Sequence, residues 1–211
     1  AALASPLLDK VYVSTDDAEI AEVSRAYGAE VLPRPSELAE DMTLGYPVFR
    51  HHLDAMVASG DEPDIIVDLR PTSPLRGAHR ITEAVEALKS HGKNGADSVR
   101  SVVSAAKHPH KMWKQVGEHI VPFLPESITG MKEPYDACRQ ELPIVFQNNG
   151  AVYAIWKDTI LNKESLTGDK VAGLFMDDWE SINIDTEIDF LLAEEIMRSR
   201  ESKPKSEDLQ K

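Results

Sequence analysis

One feature of this 211-residue sequence narrows its possible folds more than any other: short β-branched runs alternate with amphipathic stretches of helical period. Residues 11–15, 30–32, 63–69, 98–104, 150–156 and 173–176 read as strands, and 18–27, 43–58, 77–90 and 186–200 as helices, with a further short helix before the last strand. Asp16 and Asp17 form a helix start, Gly28 and Gly60 are helix stops, and Asp41 is placed to cap the second helix. Ile20, Val23 and Tyr27 fall on one face of the first helix, and Phe190, Leu191, Ala193, Ile196 and Met197 supply the apolar positions of the last. Alternation of this kind implies an α/β fold with a mostly parallel sheet covered on both faces. Ligands then sit beyond the carboxyl ends of the strands. The loops to read for chemistry are therefore 14–17, 33–43, 70–76 and the segment around Asp185. Between 108 and 143 the rhythm breaks into prolines, glycines and isolated apolar pairs, as an excursion from the sheet would.

Composition removes several classes of function. Thirty-six Asp and Glu against 23 Lys and Arg give a formal charge of −13, which repels a polyphosphate backbone and argues against nucleic-acid binding. A small anion needs only a local cluster of donors, so the net sign leaves that possibility open. No apolar run reaches the roughly 18 residues of a membrane span. The single cysteine, Cys138, cannot form an intrachain disulfide and suits a reducing cytoplasm; it reads as a small packing residue. Trp113, Trp156 and Trp179 read as packing anchors, and the adjacent His51 and His52 as surface residues. His108-Pro-His110 lacks the partners of a metal site. Residues 201–211 form a charged tail that is expected to fray.

Three loops carry candidate chemistry. Arg70-Pro-Thr-Ser-Pro-Leu-Arg76 follows a buried strand and combines two guanidinium groups, two hydroxyls and two stiffening prolines. It can hold an anion, or it can be a rigid turn in which Thr72 or Ser73 bonds local amides. Arg34 stands between Pro33 and Pro35 near the ligand edge. In the acidic stretch 177–185, Asn183 and Asp185 point to one side of an extended piece and offer oxygens to Mg²⁺. Asp185, Glu187 and Asp189 together also read as an ordinary acidic helix start.

Taken in order, Val-Ser-Thr-Asp-Asp (13–17), Arg-Pro-x-x-Leu-Ala-x-Asp-x-Thr (34–43), Arg-Pro-Thr-Ser-Pro-Leu-Arg (70–76), Asn-Gly-Ala-Val-Tyr (149–153) and Ile-Asp-Thr-Glu-x-Asp-Phe (184–190) resemble the N-acylneuraminate cytidylyltransferase family. The resemblance runs from the first residue to about Arg200. It implies a Rossmann-like nucleotidyltransferase, a three-layer sandwich with a dimerisation arm over 108–143 that reaches into a partner's site. The implied reaction joins CTP to sialic acid or a related nonulosonic acid with Mg²⁺ and releases pyrophosphate. The implied protein is a cytoplasmic homodimer. By the same resemblance Asp185 is the catalytic metal-binding residue, with Asn183 beside it where many members have a second Asp. Arg34, Thr72 and Ser73 are expected at the nucleotide, and Arg70, Lys111, Arg139 and Tyr153 at the sugar. Arg70 replaces a Gln, and Leu166-Thr167 stand about where paired aromatics occur, so legionaminate or another nonulosonate is nearly as good a candidate as sialate. The family opens with a strand and an Ala-Arg-x-Gly-Ser-Lys-x-x-x-x-Lys-Asn phosphate loop that this sequence does not contain. The resemblance thus implies an N-terminally truncated domain over 1–200, with weak activity as it stands. The alternatives are an inactive dimerising remnant and a CMP-3-deoxy-octulosonate synthetase, the latter disfavoured by the pairing of Lys111 with Arg139.

Overall fold

The computed structural model describes residues 1–201; the tail expected to fray lies, but for its first residue, outside them. Strands β1 (Tyr12–Thr15) and β2 (Glu30–Pro33) pair in parallel, Tyr12 opposite Glu30, and are joined by α1 (Ala18–Ala26). Asp17 caps α1 by accepting the Ile20 amide at 2.8 Å, and Gly28, at φ +89°, supplies the left-handed residue just past its end. Then follow α2 (Gly45–Ala58), β3 (Ile65–Asp68), α3 (Ala78–Gly95) and β4 (Ser98–Ser104). An arm carries the hairpin β5 (Trp113–Val116) and β6 (His119–Pro122) and a single turn, α4 (Glu126–Thr129). The chain returns in β7 (Phe146–Trp156) and closes with α5 (Lys157–Lys163), β8 (Val171–Phe175) and α6 (Glu187–Glu201).

The main sheet has the order β3-β7-β4-β8. Its two cores make three layers. On one face Ile81, Ala84 and Leu88 of α3 pack on Val99, Val152 and Ala154; on the other, Leu53 of α2 meets Ile155 and Ile160. The fold class read from the alternation is therefore present, but the sheet is mixed, not mostly parallel. β7 runs antiparallel to both β3 and β4, and only β4–β8 is parallel within this sheet. A parallel return needs a crossover to the other end of the sheet. The arm makes no crossover: it leaves after Ser104 and re-enters at Phe146, opposite Ser104, so β4 and β7 form one very long hairpin.

Several local expectations are corrected. Asp41 does not cap α2, which begins at Gly45 behind Leu44; a turn closed by Thr43 N to Glu40 O at 2.9 Å lies between. Cys138 is exposed, because it precedes a one-turn helix on the arm's surface. His52 is half-buried in α2, and burial pulls its pKa down to about 4. Trp156 and Trp179 are partly buried, whereas Trp113 is 44% exposed, leaning on Tyr135. Ile20, Val23 and Tyr27 are exposed on α1, as are Phe190, Leu191 and Met197 on α6, where Ala193 is the buried position.

Candidate active site

The site is built around a break in β7. Between Arg100 and Val102, two steps along β4, the partner positions on β7 run from Tyr153 to Asn148, five steps. The surplus residues form a bulge that turns backbone and side chains toward the carboxyl end of β3. Ser101 seals it from behind, its hydroxyl accepting Val152 N at 2.8 Å and donating to Asn149 Oδ1 at 2.6 Å. Gly150 sits in the bulge at φ +72°, where an L side chain is strained. A Cβ there would lie 3.4 Å from Ser73 Oγ, 3.6 Å from Asn183 Oδ1 and 3.9 Å from Arg70 Cγ. Loop 70–76 and segment 183–185 thus converge on one glycine.

The acidic segment is held on three sides. Ile184 N donates to Thr72 O at 2.8 Å, and Asn149 Nδ2 donates to Ser181 Oγ at 2.9 Å. Behind it, the fully buried Glu180 carboxylate takes Arg80 Nε at 2.8 Å and Nη2 at 2.6 Å. Asp189 serves the start of α6: its Oδ2 accepts Thr186 N, Thr186 Oγ1 and Asp185 N, and the Thr186 hydroxyl bond holds its carboxyl below the usual range. The helix start therefore does not need the Asp185 carboxylate. Asp185 is exposed, its Oδ2 2.7 Å from Asn183 Nδ2, which confirms that 183 and 185 share a side.

Among the described residues no three His, Cys, Asp or Glu side chains come together as a metal site. The smaller set, Asp185 with Asn183, fits a cation that keeps waters and takes its other ligands from phosphates. Turning the Asn183 amide would place its oxygen beside Asp185 and its nitrogen toward Ser73 Oγ, now 3.4 Å from Oδ1. In that orientation the nitrogen keeps a partner in Ser73 Oγ, and the carbonyl and carboxylate oxygens, both acceptors, face each other as two oxygens would around Mg²⁺.

On the cationic side, Arg76 Nη1 donates to Arg70 O at 2.7 Å and Ser73 O at 2.8 Å, which makes loop 70–76 rigid. Ser73 is fully buried, its hydroxyl 3.3 Å from Asn149 O, while Thr72 and Arg70 are exposed. Arg70 Nε pairs with Asp68 Oδ2 at 3.1 Å, and burial raises the Asp68 pKa against the pull of Arg70, Arg100 and Arg76. Tyr153 lies between Asp68 and Arg100 in the ladder, with Arg100 over its ring. Arg34 belongs to the other sheet, donating to Ser14 Oγ and Ser14 O at 2.8 Å each. Lys111 and Arg139 lie on the arm. Lys111 Nζ donates to Ala137 O at 2.7 Å and Tyr135 O at 3.2 Å, and Arg139 to Ala105 O at 2.8 Å. Within one chain, then, Arg70, Ser73 and Asn183 gather at Gly150 with Asp185 beside Asn183, Tyr153 stands next to Asp68 and Arg100 further along β7, and Arg34, Lys111 and Arg139 are held by other parts of the fold.

Asp68, Arg80, Glu180 and Arg100 escaped the reading of the sequence, and Asn149 entered it only as part of a motif, without a role. Asp68 and Arg100 were signalled as charges inside strand patterns, and Asn149-Gly150 as a turn pair at a strand's start. The Arg80–Glu180 pair spans 100 residues and has no local signal.

A three-layer α/β fold with a two-arginine loop beyond β3 and an acidic segment beside it offers a candidate nucleotide site, and comparison with known proteins gives its class. The whole fold matches a CMP:2-keto-3-deoxy-manno-octonic acid synthetase solved with CTP, at TM-score 0.61 and 14% identity over 94% of this chain and 85% of that one. Residues 1–116 match the cytidylyltransferase family model, and the chain belongs to that family. It is 31% identical over 207 residues to a CMP-N,N'-diacetyllegionaminic acid synthase from Campylobacter jejuni, covering 95% of this chain and 82% of that protein. It is 32% identical over 198 residues to N-acylneuraminate cytidylyltransferase A from Danio rerio, covering 92% of this chain but 42% of that longer protein. The enzyme class, a nucleotidyltransferase of the cytidylyltransferase type, follows from these.

Proposed function

We propose that this protein activates a nonulosonic acid, sialate or a legionaminate-type relative, with CTP to give the CMP-sugar and pyrophosphate. The observation that carries the reading is the convergence on Gly150 of a rigid two-arginine loop and the Asn183–Asp185 pair, in a chain of this family. The sugar's anomeric hydroxyl attacks the α-phosphorus, a new P–O bond forms, and the bond to pyrophosphate breaks. Nothing in that step needs a covalent protein intermediate; it needs positioning and compensation of charge. Asp185, with Asn183, is the anchor for Mg²⁺, which when bound offsets phosphate charge. Arg34, Thr72 and Ser73 belong to the nucleotide side. Since Ser73 is buried and bonded inward, it acts by shaping the loop.

Arg70 and Tyr153 belong to the sugar side. Lys111 and Arg139 reach a site only if the arm crosses to a second copy, and the exposed Met112, Trp113, Val116, Ile120 and Phe123 on and beside the arm's hairpin favour a homodimer. No described helix is long and apolar enough to cross a membrane; a CTP-consuming enzyme belongs in the cytoplasm. The test is pyrophosphate release by the protein with CTP, Mg²⁺ and a panel of nonulosonic acids. Release that depends on both the acid and CTP supports the reading. A panel without release, with a dimer still present in sedimentation, supports the dimerising remnant instead.

A further inference from the structure

Loop 70–76 and the acidic segment 177–185 approach Gly150 from distant parts of the chain, yet both are fastened to one place, the first turn of α3. Loop 70–76 runs into that turn through Gly77, the residue before Ala78. From the same turn Arg80 reaches the acidic segment. Its Nε and Nη2 lie 2.8 and 2.6 Å from Glu180 Oε2, and Nη2 is 3.5 Å from Asp177 Oδ2. Its Nη1 donates to Glu83 Oε2 at 3.0 Å, which braces the guanidinium against its own helix. His79 Nε2 stands 3.4 Å from the other Glu180 oxygen, Oε1. The His79 ring lies folded over Gly77, where a Cβ would overlap its Nδ1 and Cε1. Beyond Glu180 the segment has few other holds: Ser181 Oγ donates to Asp177 O at 2.8 Å, and Ile184 N to Thr72 O at 2.8 Å.

Stability alone does not ask for this arrangement. Glu180 is fully buried, and its Oε1 has no hydrogen bond. An apolar pair of similar volume is commonly as stable as a buried ion pair, or more so; what the charged pair adds is direction. We propose that Arg80 and Glu180 are positioning residues, whose pairing at the first turn of α3 sets the register of Asn183 and Asp185 against loop 70–76. Neither touches substrate, and both act through Asp185. The purpose of that register rests on the proposed activity, whereas the register itself can be measured without turnover.

The variant that separates position from stability is Arg80→Met with Glu180→Leu, which fills the space without charge. It is expected to unfold within about three degrees of the unmodified protein. Hydrogen exchange at the Ile184 amide should quicken by roughly tenfold or more as its bond to Thr72 O opens more often. Mn²⁺ retention in the presence of CTP, read by electron paramagnetic resonance, should weaken, and pyrophosphate release should fall by roughly tenfold or more, since about 1 Å of misplacement can cost a hundredfold. A double variant that matches the unmodified protein in exchange at Ile184, or one that exchanges faster yet holds Mn²⁺ as well, overturns the proposal. If the unmodified protein neither retains Mn²⁺ nor releases pyrophosphate, the activity falls, and exchange at Ile184 alone decides the inference. If the double variant does not fold, Arg80→Lys provides the second test: it keeps a charge near Glu180 but loses the simultaneous contacts of Nε, Nη1 and Nη2. The same changes are expected in it, and an unchanged exchange rate at Ile184 is equally fatal.

Discussion

The two ends of β4 handle charge in opposite ways. Just before its first residue, Asp97 is surrounded by donors that all find it: Lys163 Nζ at 2.8 Å and the amides of Asp169 and Lys170 at 2.8 and 3.0 Å, all on Oδ2. Those bonds, the Lys163 ammonium first, hold its pKa at about 2. Gly168 is required there too, because at φ +72° any Cβ would overlap the Asp97 side chain. Further along the strand, where Ser101 supports the bulge, the polar groups are left in excess. Arg76 Nε and Arg100 Nε are buried without acceptors, Glu180 Oε1 has only His79 Nε2 near it, at 3.4 Å, and Asp185 is exposed beside a single amide. A polar cluster that closes on itself acts as a clamp on the fold. One whose polar groups are left without partners is not closed by the fold alone.

The largest effect expected at the open end is on stability, because its support is a buried ion pair. Removing Arg80 strands the Glu180 carboxylate in the interior, and Arg80→Met should cost about 3–5 kcal/mol in chemical denaturation. The double change Arg80→Met with Glu180→Leu removes the stranded charge and should recover most of that loss. A cost below about 1 kcal/mol for the single change would mean that segment 177–185 is held chiefly by Ser181 and Ile184.

Next comes Asp185→Asn. The residue is exposed and spared by the α6 cap, so the unfolding midpoint should stay within a degree or two. Pyrophosphate release should fall by about 100-fold or more, the usual cost of losing one preorganised charge partner, and should respond only weakly to added Mg²⁺. A variant that loses stability and activity together would place Asp185 on the structural side of the contrast. Gly150→Ala follows. Its positive φ alone costs about 1–2 kcal/mol, while the new methyl would sit at ordinary contact distance from Ser73 and Asn183, so stability should drop through backbone strain and turnover should drop as the bulge shifts to relieve it.

The contrast also explains which parts could be read in advance. Helix stops at Gly28 and Gly60, the Asp17 cap and the strand periods are local signals, and the elements they mark occur where expected. The direction of β7 has no local signal. It is set by an arm of some forty residues that returns to the end it left, and the same β-branched run would serve a parallel or an antiparallel neighbour. Asn183 and Asp185 were legible because two positions on an extended chain share a side whatever the fold. Arg100 and Asp68 were not, because only strand order brings residues 68, 153 and 100 into one row. Exposed apolar faces misled in the other direction: Ile20, Val23 and Tyr27 keep the helical period but stay exposed among the described residues.

The smallest effect is expected at the closed end, and there the pH dependence carries the information. Asp97 is depressed in the folded protein relative to its ordinary value of 3.8, so its contribution to stability is fully present above about pH 4. It is lost as the pH falls toward about 2, where the folded carboxyl takes up its proton. Asp97→Asn should therefore cost on the order of 1 kcal/mol at neutral pH, from charge-assisted bonds reduced to neutral ones. The difference from the unmodified protein should shrink between pH 4 and pH 2 in urea unfolding. His52 adds a separate slope at higher pH: kept neutral by burial to about pH 4, it lowers stability as the unfolded chain protonates below about 6.5. Asp97→Asn leaves that slope intact, which allows the two titrations to be told apart in one data set. If Asp97→Asn costs nothing at neutral pH and the two proteins stay together down to pH 2, the lock on the α5–β8 turn is steric, set by Gly168 against a side chain whose shape the substitution keeps, and charge has no part in it.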